Sequence, residues 1–391
     1  PSEGGIADLA CPKGINVTTS SSDVVVIGAG VVGASIGYHL AKSGAGVTLI
    51  DRDAPGSRTS KVSFAWINAL GKRPQHYHHF SRLSVDAYSS LLEDLGPNAG
   101  IGEGGGLHWP APGAQGLADM QSLASELDEL GYPYQLMTPQ DAAELEPNFH
   151  VDGIEGSILY APIERWADGD LLARSMAQSA EEHGATVIAP SSVREIVVQG
   201  GRVTGVSTAD GFVPAGTVVV AAGTASVGLL APLGYRLPLD RVVGVLAVVS
   251  APPGLVKRVL YPGRYHVRPT NDGRVAIGCR EMDFLADEDT DASGPPTWAG
   301  QLLRMAQQDC PRLGSGRVEE LRVGARPMPK DELPIIGYVP GVQGAYVATM
   351  HSGVTLAAIV GQTVAEEITS GRVPSLLEPY RPERFGGLDP G

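Results

Sequence analysis

The apolar pattern begins with residues 23–27, a β-branched run without polar alternation, as in a parallel strand buried on both faces. A helix is predicted over 31–43, with Ala34, Ile36, Leu40 and Ala41 available for packing and Gly44 as its stop. A second strand over 46–50 ends in Asp51, so the first fifty residues read as a compact βαβ unit. Further helices are predicted over 75–95, 115–130 and 168–183, with Asp168 as a helix N-cap. Thr138-Pro139-Gln140-Asp141 starts another short helix. Residues 56–63 read as a polar loop and 102–109 as a strand. After a strand over 185–188, hairpin-like strands are predicted over 193–199, 202–208 and 211–214, around Gly200-Gly201 and Asp210-Gly211. A separate buried strand follows over 217–222.

From 236 to 279 the pattern changes to longer strands broken by Pro-Pro-Gly and Asn-Asp-Gly turns, which predicts an antiparallel sheet and a second domain. A helix over 298–310, short strands over 317–350 and a final helix over 352–369 close the chain, and no internal repeat is visible.

Composition narrows the class. With 43% hydrophobic and 18% charged residues over 391 positions, a well-buried globular protein of more than one core is expected. The net charge of −14 and the absence of a Lys/Arg run argue against a nucleic-acid partner. No apolar run approaches a membrane span. Residues 1–22 lack the charged and apolar parts of a signal peptide and read as a loose extension. Cys11, Cys279 and Cys310 are far apart and odd in number, so no disulfide framework or CxxC metal site follows, and a reducing cytoplasm is the expected home. Assembly into a homo-oligomer stays open.

Gly28-Ala29-Gly30-Val31-Val32-Gly33 lies between the first strand and its helix, with the acidic Asp51 at the end of the next strand. That context turns a weak GxGxxG into a dinucleotide site. Gly28 allows the tight turn, Gly30 a close approach to a pyrophosphate, and Gly33 close packing of helix on strand. The helix start, through Val31 and Val32, offers unpaired N–H groups to phosphate. Asp51 would accept hydrogen bonds from a ribose, with Arg52 beside it. Two other regions favour FAD over NAD. The tail Met350-His351-Ser352-Gly353-Val354-Thr355 starts a helix able to aim its positive end at a flavin pyrimidine ring, an ordinary C-terminal packing helix being the other reading. Residues 187–223 end in Ala221-Ala222-Gly223, by itself only a Gly-ended strand; in a flavin fold this backbone would approach the cofactor and the hairpin at Val193 would cover adenine.

These pieces, with Arg58-Thr59-Ser60, Tyr265-His266-Val267-Arg268-Pro269, Gly324-Ala325-Arg326-Pro327 and Leu333-Pro334-Ile335-Ile336-Gly337, resemble the D-amino acid oxidase family in its glycine/sarcosine oxidase-like branch. The resemblance runs from Asp23 to about Gly371. It implies an α/β fold: a glutathione-reductase-like FAD-binding Rossmann domain from residues 23–104, 165–238 and 321–372. An α+β substrate domain with a large antiparallel sheet would come from 105–164 and 239–320, and 1–22 and 373–391 would be terminal extensions. It also implies oxidation of an amino acid or secondary amine to an imine, with O2 returned as H2O2. A dehydrogenase passing electrons to a quinone or carrier protein is the alternative, and a non-catalytic flavin-binding subunit a third reading.

By the same resemblance, Arg326 would grip a substrate carboxylate through its two-pronged guanidinium, a structural ion pair being the other reading. Tyr265 would touch substrate beside it, or belong to the core. His351 would hydrogen-bond flavin or substrate or modulate O2 reactivity, or merely pack beside the helix start. Relatives with covalent flavin use a Cys near the Arg-Pro segment or a His in the first flavin loop. Here Met328 and Ser63-Phe64-Ala65-Trp66 stand there, so FAD is expected to be non-covalent. His76, His78 and His79 do not share a helix face and are not read as a metal site. The acidic stretch Asp287-Glu288-Asp289 with Asp291 is read as a solvated loop.

Overall fold

A computed structural model describes residues 22–283 and 297–386. The expected extension up to residue 21, Cys11, the acidic stretch at 287–291 and the chain beyond residue 386 lie outside the described residues.

Five parallel strands form the centre of the first sheet, in the spatial order Thr186–Ile188, Val47–Ile50, Ser22–Ile27, Phe212–Val220, Ala345–Thr349. The unbroken apolar run at 24–27 is explained by burial on both faces. Val24 and Val26 pack against Val31–Lys42, Gly169–Glu182, Gly353–Ser370 and Gln75–Leu95, a helical layer on one side. Val25 and Ile27 point the other way, onto a layer that includes the hairpin Val193–Gln199/Arg202–Thr208.

The segments read separately as 211–214 and 217–222 form one strand, Phe212–Val220. Its first half pairs antiparallel with the hairpin and its second half parallel with Ser22–Ile27. No turn is needed, because each half satisfies a different neighbour.

The second sheet has eight strands, ordered Val318–Pro329, Leu239–Val249, Val275–Gly278, His266–Pro269, Val259–Tyr261, Gly106–His108, Ile158–Ala161, Gln135–Met137. All neighbours are antiparallel except Val259–Tyr261 with Gly106–His108. The helix Thr297–Asp309 covers one face through Ala299, Leu302, Leu303 and Ala306.

The strand expected over 102–109 is two strands. Ile101–Gly102 joins a small sheet with Arg165–Ala167 and Trp66–Ile67, while Gly106–His108 enters the eight-stranded sheet just described. Gly104 at φ +128° and Gly105 at φ +80° take the backbone out of the β region between them. The loop expected over 56–63 contains a one-turn helix, Thr59–Val62. The expected domain boundary at residue 321 falls inside Val318–Pro329, which pairs with Leu239–Val249 along its length.

Thr138 makes a capping box with Asp141. Asp168 stands at the predicted N-cap position, but its carboxylate does not cap. It accepts instead from Arg268 Nη1 at 2.8 Å and from the Asn271 backbone N–H at 2.8 Å. A buried guanidinium outcompetes a helix N–H for this carboxylate.

Candidate active site

A cleft of about 640 Å³ runs from the glycine loop to Arg326 and His351. At its first end, backbone crowding dictates glycine. A Cβ on Gly28, at φ +103°, would lie 2.6 Å from the Ala221 carbonyl oxygen, and one on Gly33 only 1.8 Å from the Gly28 oxygen. Gly33 does not line the cleft; it lets the helix close on the loop. Gly28, Gly30, Val31 and Val32 line the cleft directly. The Val31 N–H donates to Ser60 Oγ at 3.1 Å, and the Ala29 N–H to Asp51 Oδ2 at 2.6 Å. Burial raises the Asp51 carboxyl above its ordinary range, against hydrogen bonds from Asp53 and Ala29 N–H that favour the anion. Arg52 and Arg58 sit at the rim, where both guanidiniums approach Asp53. Thr59 donates to the Ala325 carbonyl at 2.9 Å, joining this loop to the Arg326 strand. Val193, Ala221, Ala222 and Gly223 complete this end.

At the far end Ser352 adopts a left-handed conformation, φ 49°, at the start of Gly353–Ser370. His351, Ser352, Gly353, Val354 and Thr355 all face the cleft. Thr355 donates to the Trp66 carbonyl at 2.8 Å, fixing the loop that carries Phe64 and Trp66. Lys72, unremarked in the sequence, brings Nζ within 2.7 Å of Ser352 Oγ, itself 3.2 Å from His351 Nδ1. Burial lowers Lys72 to about 8. Burial, then the charges of Lys72, Arg326 and Arg280, lowers His351 to about 3, so its imidazole is neutral at physiological pH.

Arg326 faces the cleft from Val318–Pro329, and its side chain lies over Gly244 on the paired strand. Its Nη2 donates to Asp283 Oδ2 at 2.9 Å and to the Val243 carbonyl at 3.3 Å. The cleft position and the ion pair, alternatives in the sequence, therefore coexist. Tyr265 does not reach the cleft. It is buried in the core beneath the sheet and donates to Asp309 Oδ2 at 2.6 Å. The next residue, His266, lines the cleft, with its ring 4.3 Å from that of Phe64. Neighbouring side chains at a strand take opposite faces, so Tyr265 takes the core place that was one of its two expected ones, and the next position faces the cleft. Burial and the Arg326 charge lower His266 to about 4.

Trp66, also on the cleft wall, stacks on His108 with centroids 4.9 Å apart and donates Nε1–H to Glu164 Oε2 at 2.8 Å. Glu164 is fully buried and also accepts from Tyr132 OH at 3.1 Å. His76, His78 and His79 diverge: His76 meets Tyr380, His78 is buried beside Tyr132, and His79 is exposed. Among the described residues no three His, Cys, Asp or Glu side chains are grouped to hold a metal ion. Nor, among them, is any helix long and apolar enough to cross a membrane.

The cleft fits FAD: a glycine-dictated phosphate cradle at one end and an aromatic, cation-bearing chamber at the other. The chain is 29% identical over 377 residues to "Uncharacterized oxidoreductase YurR" of Bacillus subtilis (strain 168), covering 92% of this chain and 98% of that protein. It is 27% identical over 390 residues to the "Glycine oxidase" of Geobacillus kaustophilus (strain HTA426), covering 94% and 98%. The crystal structure of glycine oxidase from Bacillus cereus ATCC 14579 superposes with a TM-score of 0.81 at 25% identity, over 92% of this chain and 98% of that one. The family model for DAO, FAD dependent oxidoreductase, matches residues 23–367. With its glycine cradle, parallel sheet and roofing antiparallel sheet, the chain belongs to the DAO family of FAD-dependent oxidoreductases.

Proposed function

We propose that this oxidoreductase oxidises an amino acid or secondary amine at the C–H beside nitrogen, giving an imine, and returns the electrons to O2 as H2O2. The observation that carries the reading is Arg326 on the wall of a cleft whose other end is the glycine cradle. Bound FAD supplies the two-electron acceptor. Gly28, Gly30, Val31 and Ser60 would hold its phosphates, Asp51 its ribose, Val193 and Ala221–Gly223 its adenine side, and residues 352–355 its pyrimidine edge. Non-covalent attachment is supported by Met328 after the Arg-Pro pair and by the absence of Cys or His from Ser63-Phe64-Ala65-Trp66. Cys279 and Cys310 are both buried. The cofactor segments would be 23–104 and 165–238 with the tail to 372, beneath a roof drawn from 105–164 and from 239 through the strand ending at Pro329.

Arg326 would fix a substrate carboxylate and thereby choose which C–H is presented. Trp66, Phe64 and His266 exclude water around the reacting carbon. The neutral His351 would accept or donate a hydrogen bond without adding charge.

Holoenzyme mixed without air with glycine, sarcosine, proline, D-amino acids and cyclic amines should bleach with at least one of them. Readmitted air should then yield one H2O2 per turnover. Arg326→Ala should weaken carboxylated substrates by about a hundredfold or more and uncharged amines far less. Equal losses on both would remove Arg326 from substrate binding, and dye-linked activity without peroxide would replace the oxidase with a dehydrogenase.

A further inference from the structure

We propose that Asp283 is a catalytic residue of this site, which binds the substrate's ammonium and takes its proton as the amine is oxidised. This rests on the amine-oxidising reading above and adds to it that the substrate enters as a zwitterion.

The geometry comes first. Asp283 lines the cleft with its side chain only 10% exposed. It is held from two sides: Oδ1 accepts the Val245 N–H at 2.9 Å, and Oδ2 accepts Arg326 Nη2 at 2.9 Å. Among the described residues that line the cleft, the only carboxylates are Asp51 and Asp283. Asp51 is at the glycine-loop end, occupied by the Ala29 and Asp53 N–H groups. At the Arg326 end Asp283 therefore stands as the single anion among the described lining residues.

An anion beside a carboxylate-binding arginine is a poor device for collecting simple carboxylates, because it already occupies one edge of the guanidinium. It is a good device for an amino acid. The carboxylate and ammonium of such a substrate are separated by one carbon, and Arg326 and Asp283 present the matching pair of opposite charges side by side.

Chemistry gives the carboxylate a second task. A nitrogen that carries an extra proton has no lone pair with which to push a hydride from the adjacent carbon. In the balanced step, the N–H bond of the ammonium breaks and its proton passes to Asp283 Oδ. With FAD bound as the two-electron acceptor, the α-hydrogen would leave carbon with its electron pair as a hydride, and the nitrogen lone pair would form the C=N bond. Transfer inside the cleft also replaces two buried charges with two neutral groups.

The groups facing Asp283 suit an acceptor. Arg326 faces it from the neighbouring strand, and Arg280 and Glu281 share its own helical turn. His266 lies on the sheet beside Arg326, and Lys72 and His351 line the same cleft. Burial raises Asp283 above the ordinary carboxylate range, with Arg326 and the Val245 N–H pulling the other way. The histidines, lowered to about 4 and about 3, are neutral at pH 7 and bring no charge of their own to the ammonium.

The test uses holoenzyme and anaerobic flavin reduction at pH 7. The best amine of the screen is compared with its analogue bearing a trifluoromethyl group on the carbon beside nitrogen, whose amine is largely unprotonated at that pH. Asp283→Asn keeps the shape, and its amide oxygen can still accept from the Val245 N–H while the amide NH2 turns toward Arg326. Its rate relative to wild type should fall about a hundredfold on the parent amine and only a few-fold on the fluorinated one. Equal losses on both, or no loss on the parent, would overturn the proposal. In the wild type alone, the rate should hold to a pH well below the pKa of the free parent amine, whereas a limb that coincides with that pKa overturns it without any variant. Wild-type holoenzyme that no amine bleaches sinks the amine reading itself, and the role of Asp283 goes with it.

Discussion

Gly33 is the least replaceable position on the phosphate cradle. A methyl group there would sit 1.8 Å from a carbonyl oxygen of the same loop, which cannot move without displacing the Gly28 turn. Gly33→Ala should cost about 3 kcal/mol or more and release the cofactor. Flavin absorbance per protein and the denaturant midpoint read both effects, and a fully yellow variant with a wild-type midpoint would contradict this account. Such glycines are legible in sequence because their spacing, with the flanking strand and helix, is contiguous. Asp283 and Lys72 are not legible: nothing near them in sequence marks them, and only the fold brings them to Arg326 and to Ser352. Tyr265 and His266 differ by one position, and no pattern in five residues told which side chain turns toward the cleft.

At the scale of elements, the start of Gly353–Ser370 collects positive charge. The helix end and the Lys72 ammonium meet at Ser352, and among the described residues Lys72 forms no ion pair. Burial lowers Lys72 to about 8, below the 10.5 of a free lysine. Between those two pH values the unfolded chain holds a proton that the folded chain has released, so stability rises with pH across that window, and the cost of the buried charge is present in full below about 8. Lys72 keeps part of its surface in the cleft, which moderates the cost. Flavin-free Lys72→Met should therefore be more stable than wild type at pH 7 by about 1–2 kcal/mol, with the gain fading as pH approaches 10.5. Urea titrations at pH 7 and 10 decide it; a difference that is absent or independent of pH would refute it. Elements with long periodic patterns were legible, as in the helix expected over 75–95 and found as Gln75–Leu95. Short apolar runs were not. The strand expected over 102–109 divides between two sheets at Gly104 and Gly105, and those at 211–214 and 217–222 merge, because pairing partners distant in sequence decide both outcomes.

Across the whole molecule, Arg268 ties the second sheet to the rest. It is fully buried, donates Nε to the Phe64 carbonyl at 2.5 Å and Nη1 to Asp168 at 2.8 Å, and lies over the Phe64 and Trp166 rings. Arg268→Ala should cost about 3–5 kcal/mol, since it leaves Asp168 buried without its cation. Arg268→Met combined with Asp168→Asn should recover much of that loss, and chemical denaturation of the three proteins provides the comparison. If the double variant is as unstable as the single, the guanidinium matters for packing and not for charge. The change from helix-bearing segments to long strands near residue 236 announced the second sheet in the sequence. Its inclusion of Val318–Pro329 did not, because eleven paired positions on Leu239–Val249 claim that strand from the tail.

The tail has a consequence for how the protein is made. Gly353–Ser370 packs on Val31–Lys42, with Ser35 Oγ donating to the Ala357 carbonyl at 2.7 Å, and Ala345–Thr349 completes the parallel layer. The glycine loop is thus synthesised about 320 residues before the helix that covers it. At roughly 5–20 residues per second, the nascent glycine loop waits on the order of tens of seconds before that wall exists. Loading with FAD therefore waits for residue 353 and beyond, and a ribosome that stalls before it holds a polypeptide with the fingerprint but without the wall that would keep the dinucleotide.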